Sequence, residues 1–178
     1  MSLNFKDQLI RVVFLLFVLA VLQASQYIGI VYRNFWAPLF DVYTQAVARA
    51  VVALTGASSQ PLRREPHVSD VLLNGNVAVA WNQMHWELWV SLLAFAAFFR
   101  GTRKRKMVYF GVVTLCFYVL NVAWYAWCVK FPNAGQYFVY DTTLPPWAAI
   151  VTGVMQGIPF AATLALAGGW LLWNRPRT

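Results

Sequence analysis

Charge is scarce in this chain. Of 178 residues only 11% are charged, six of them acidic, and there are two histidines and two cysteines. A soluble globular domain carries roughly 25% charged residues and about 45–50% apolar ones, whereas here 60% are hydrophobic and the mean hydropathy is +0.55. So few charges cannot cover a water-facing surface, so the composition predicts an integral membrane protein. Cys116 and Cys128 both fall in one apolar stretch, which excludes a disulfide framework and a Cys-based zinc site. No glycine-rich phosphate loop precedes a helix, and no Ser or Cys stands in a recognisable nucleophile motif.

Long apolar runs take the place of charge. They predict an all-α membrane domain of four spans, over 9–31, 82–100, 107–129 and 147–173. The first run, as a helix of about 34 Å, is long enough to cross a bilayer. It is longer than the roughly 7–15-residue apolar core of a signal peptide and has no clear small-x-small site after it, so it is expected to be retained. Pro159 predicts a kink in the last span. Residues 35–56 read as an interfacial helix, because Asp41, Gln45 and Arg49 recur every four residues on one side; Gly56 is its expected stop. Residues 57–80 read as an extended or hairpin element turning at Asn74-Gly75.

The basic residues give the orientation. Four spans place Lys6, Arg11, Arg100, Arg103, Lys104, Arg105, Lys106, Arg175 and Arg177 on one side with Asp7 as the single acid. Five basic and five acidic residues fall on the other side. The positive-inside rule then makes both termini cytoplasmic, in a bacterial inner membrane. Arg100, Arg103, Lys104, Arg105 and Lys106 form a topology anchor that also suits anionic lipid headgroups. With the net charge explained by topology, no nucleic-acid partner is expected; the expected partners are the lipid bilayer and other membrane proteins.

Aromatic residues crowd the opposite side. Trp36, Trp81, Trp86, Trp89, Trp124, Trp127 and Trp147 fall at or near the outer ends of the spans, and only Trp170 and Trp173 at the inner end. An interfacial belt with packing is the simpler explanation, and a partner- or ligand-contacting face is the alternative. The most chemical stretch runs from Trp81 to Glu87. On a helix Trp81, His85 and Trp89 share one face, and Gln83, Glu87 and Ser91 another. An ionisable group at a membrane edge raises a functional hypothesis, so His85 is the one candidate cofactor ligand or proton carrier. The competing explanation is a hydrogen-bonded, snorkelling histidine. His67, beside Pro66, is expected to be solvated.

The order of parts resembles the exosortase/archaeosortase family of membrane transpeptidase-like proteases. The resemblance rests on the helix ending at Gly56, the extended stretch to Ala80, Trp81-Asn82-Gln83, the basic turn and Asn121-Val122-Ala123-Trp124. It implies an outer active-site cleft with a catalytic Cys, Arg and His. Here Trp81 stands in place of the Cys, Trp124 in place of the Arg, and the stretch from Asp141 to Trp147 has no His. The resemblance therefore implies a catalytically degenerate relative, its cleft filled by indole rings.

The first expectation is a non-catalytic accessory or scaffold subunit using an aromatic outer face, with Glu87 and Asn121 among the contact residues. Two alternatives stay open: an exosortase-like processing factor using other residues, and a cofactor-holding subunit with His85 as ligand.

Overall fold

The computed structural model describes residues 5–25, 28–65, 68–80, 84–98, 101–135 and 144–174. The architecture is mainly helical, with one small sheet at one end. Helix α1 covers Phe5–Ser25, and a short turn of helix, α2 (Gly29–Val31), runs through a π-turn at Tyr32–Trp36 into α3 (Ala37–Thr55). The strands β1 (Ser59–Glu65), β2 (Val68–Leu73) and β3 (Val77–Val79) follow. Helices α4 (Trp86–Phe98), α5 (Arg103–Lys130) and α6 (Pro146–Trp173) complete the fold.

Two of these helices, α5 and α6, are each long and apolar enough to cross a membrane. Among the described residues, further apolar helical stretches run over Ile10–Leu22, within α1, and Trp86–Phe98. Helix α4 has 13 residues, about 20 Å at 1.5 Å per residue, against a hydrocarbon core of about 30 Å. It starts later than the hydropathy pattern predicts because His85 has φ +48, a left-handed conformation that a helix interior does not admit.

The sheet end is built by turn chemistry. Gly56 adopts φ +71, which a left-handed cap requires, and its N–H donates to the Val52 carbonyl at 2.8 Å. The sheet is an antiparallel meander ordered β1-β2-β3. Asn74 and Gly75 both have positive φ, and the Asn76 N–H donates to the Leu73 carbonyl, so the expected Asn-Gly turn joins β2 to β3. Pro61 sits on β1, at a sheet edge, where its missing N–H is tolerated.

Three clusters hold the elements together. At the sheet end, Val47 and Val51 of α3 meet Leu73, Val77 and Val79 of the sheet and Val122, Tyr125 and Cys128 of α5. Towards the other end of α5, which begins in the basic turn, Leu92, Ala96, Tyr109, Val113, Phe117 and Trp170 pack together. A third knot joins Trp36, Phe40 and Trp86, whose ring centroids lie 5.5–5.6 Å apart. The Trp36 indole N–H donates to Ser25 Oγ at 2.8 Å, tying α1 to this knot.

Candidate functional site

A cleft of about 310 Å³ opens between α5 and α6 where the segment leading into α4 meets them. Phe117, Leu120, Asn121 and Trp124 line it from α5, Met155, Gln156, Pro159 and Phe160 from α6, and His85 from the start of α4. Its volume is at the lower end of the range for small-molecule pockets, about 300–1,000 Å³. Pro159, buried inside α6, has no N–H to bond to the preceding turn. Proline in a helix interior kinks it and loosens its ladder.

The position of His85 is set by its anchors. The Tyr125 hydroxyl donates to the Ala80 carbonyl at 3.2 Å and accepts from the Ala80 N–H at 3.3 Å. Asn121 Nδ2 lies 3.2 Å from the Met84 carbonyl, 3.1 Å from the Tyr43 hydroxyl and 2.9 Å from the Phe117 carbonyl. Both described ends of the connection between β3 and α4 are thus fixed on α5. Burial pushes the Tyr43 phenol up to about 12, with Asn121 as a donor partly opposing the shift, so Tyr43 meets Asn121 as a neutral hydroxyl.

The His85 ring packs edge-on against Phe160 at 5.7 Å. Phe160 is fourteen residues from the start of α6 and thirteen from its end, about 20 Å either way along the helix axis. His85 therefore lies level with the middle of α6. Its positive φ belongs to a conformation that non-glycine residues rarely hold, and such residues cluster at binding and switch sites. Since His85 precedes α4 instead of riding on it, it shares no helical face with Trp89; Trp81 and Gln83 lie outside the described residues.

Among the described residues, the tryptophans do not form one exposed face. Trp36 and Trp86 are buried. Trp89 is half-buried and donates from Nε1 to Thr114 Oγ1 at 3.1 Å. Trp127 donates likewise to Thr152 at 3.0 Å and packs against Phe131 and Trp147. Trp147 is 54% exposed. Trp124 lines the cleft, while Trp81, the other ring expected there, lies outside the described residues; Trp86 turns into the knot with Trp36 and Phe40. Glu87 is exposed in the first turn of α4, where a carboxylate suits the helix dipole.

At the opposite end, the basic turn is partly engaged in structure. Arg105 donates to the Trp173 carbonyl at 3.0 Å and stands 5.7 Å from the Trp173 ring. Lys106 donates to the Ala97 carbonyl. These two cations cap the C-terminal ends of α6 and α4, while Arg103 and Lys104 are exposed and Arg100 lies outside the described residues.

Gln156, Met155 and Phe160 were not among the residues singled out by sequence. A lone amide within an apolar run was the available signal for Gln156. Among the described residues, no three of His, Cys, Asp or Glu converge on a metal-sized site. No family model, curated protein or solved structure matches the chain.

Proposed function

We propose that this protein is a multi-pass inner-membrane accessory subunit, with both termini cytoplasmic, that works by holding a membrane-embedded ligand or segment in the α5–α6 cleft. The observation that carries the proposal is the cleft itself: a partly polar cavity in the middle of two helices whose outer surfaces are apolar. Only 28% of the most apolar window of α5 and 11% of that of α6 are buried, unlike core helices of a soluble domain, and Leu115, Ile150, Val154 and Leu164 are more than half exposed. Irregular backbone at membrane depth persists only where protein covers it or where it lines a cavity, and the start of α4 meets that condition. Ligand sites between helices are a common use of such cavities. The position of Asn121 and Trp124 on the cleft wall is compatible with the exosortase-like resemblance, and Trp124 in place of an arginine favours binding over catalysis there.

The direct test is a photo-crosslinking residue at position 124, compared with one at exposed position 164, followed by gentle extraction and a native gel. A specific crosslinked companion or lipid from position 124, absent from 164, is the expected result. Identical non-specific products from both positions would overturn the proposal. Topology is read by single cysteines in a Cys116→Ala/Cys128→Ala background: position 74 should label from outside the cell and position 177 only after permeabilisation.

A further inference from the structure

We infer that the cleft takes a neutral, planar, hydrogen-bond-accepting head on an apolar chain, a ligand of the isoprenoid-quinone class. This rests on the cleft being a ligand site within the membrane, and it follows from four features of the lining.

The donors come first. The His85 imidazole, the Trp124 indole N–H and the Gln156 amide all line the cleft, and none makes a hydrogen bond to protein. All three are half-buried and open to the cleft; within a bilayer no bulk water is at hand to satisfy them, so three unpaired donors around one cavity call for a ligand with acceptor oxygens. A saturated acyl tail has none. Charge comes second. Among the described residues the lining has no Lys, Arg, Asp or Glu, and an unpaired phosphate or carboxylate at that depth is costly to bury, which removes phospholipid headgroups and free acids.

Shape is third. Phe117, Trp124 and Phe160 supply flat apolar faces, which favour stacked or edge-on packing of a ring. A cavity of about 310 Å³ does not admit an α-helix, which is about 10–12 Å across with its side chains. Access is fourth. Val119 of α5 and Val154 of α6 are exposed next to the lining residues, so the route into the cleft runs past apolar surface. That suits a chain already dissolved in the bilayer.

The test uses the full chain in liposomes free of quinone, titrated with a benzoquinone carrying a decyl chain, which quenches tryptophan emission. Saturable quenching is expected in the parent, with most of it absent in Trp124→Phe. Gln156→Leu and His85→Gly are expected to weaken binding about tenfold each, the scale of one lost hydrogen bond of about 1.4 kcal/mol. Glycine at position 85 accommodates the positive φ, so that variant separates loss of the ring from loss of fold. Non-saturable quenching, or equal affinity in parent and both variants, would overturn the quinone assignment. A phospholipid with brominated acyl chains separates this from failure of the cleft reading. If it quenches Trp124 while the quinone does not bind, the cleft stands and its ligand is a simple acyl chain. If neither quenches Trp124 in the folded protein, both fall.

Discussion

The sheet end and the basic end of this molecule hold their elements together by different means. At the sheet end, side chains reach across elements to backbone: Asn121 to Met84, Tyr125 to Ala80, Tyr118 to Ala46 at 3.2 Å, and Asn74 Oδ1 accepting from the Ser58 N–H at 2.9 Å. Towards the basic end the work falls on rings and close fit. Tyr109 and Trp170 pack at 4.7 Å, both buried, and among the described residues neither the Tyr109 hydroxyl nor the Trp170 indole N–H has a hydrogen-bond partner. The contrast teaches how each kind of backbone is supported: among the described residues, the strands and the non-helical entry to α4 lie where side chains from α5 meet N–H and C=O groups of the connecting backbone. At the basic end regular helix satisfies its own backbone, and Arg105 and Lys106 meet only the last carbonyls of α6 and α4.

The largest test of this contrast is at Trp170. It is 1% exposed, and its ring sits so close to Gly101 that a Cβ there would lie 2.7 Å from it. Trp170→Ala should cost about 3 kcal/mol of stability through lost packing, read as a lower midpoint in a denaturing-detergent titration. Trp170→Phe should cost less, because most of the ring volume stays and the N–H it removes has no partner among the described residues. An equal loss in both variants would mean that the ring edge against Gly101 carries nearly all of the packing.

Next in size is Asn121→Leu at the sheet end. It keeps the bulk and removes the donor to Tyr43, Met84 and Phe117, with an expected cost of about 2 kcal/mol. Tyr43→Phe should add little on top of it, since the two share one network. A signature at alkaline pH accompanies this. Tyr43 is raised to about 12 by burial, against a lowering contribution from Asn121. In Asn121→Leu the phenol should therefore ionise at still higher pH, followed by tyrosinate absorbance. Because the folded value lies above the ordinary one near 10, the stability from the neutral phenol is complete below pH 10 and lost as pH rises through 12. An earlier ionisation in the variant would contradict the hydrogen bond.

What the sequence made legible follows the same division. The long helices, the Gly56 stop and the Asn74-Gly75 turn depend on local signals, hydropathy and positive-φ chemistry, and each stands in the structure close to its expected place. The cleft depends on non-local placement. His85 reads as a helix residue because the apolar pattern runs through it, whereas anchors on Asn121 and Tyr125, some forty positions away, hold the chain out of the helix. Hydropathy also carries no information about which apolar helix leaves a gap beside a proline, so Gln156 and Phe160 stayed hidden beside Pro159. The tryptophans mislead in the opposite sense. Their clustering in sequence suggests one face, but Trp36 and Trp86 turn inward to each other, while Trp124 and Trp147 point to separate surroundings.

The smallest expected effect is the one that separates structure from topology in the basic turn. Arg105 caps α6 through the Trp173 carbonyl and also approaches Asn174 Oδ1 at 3.5 Å, whereas Arg103 and Lys104 lie exposed at the start of α5. A cation at a helix C-terminus is worth about 0.3–1 kcal/mol. Arg105→Gln should therefore lower the denaturing-detergent midpoint slightly and leave orientation intact, because in the proposed topology the remaining basic residues still favour the cytoplasmic side. Arg103→Gln/Lys104→Gln should leave the midpoint unchanged, and only when combined with loss of further basic residues should it weaken retention of the turn on the cytoplasmic side, read by cysteine labelling at position 102. If Arg103→Gln/Lys104→Gln destabilised the fold as much as Arg105→Gln, the division of the run into capping and topogenic cations would be wrong. The basic end would then be held by general charge and not by two directed contacts.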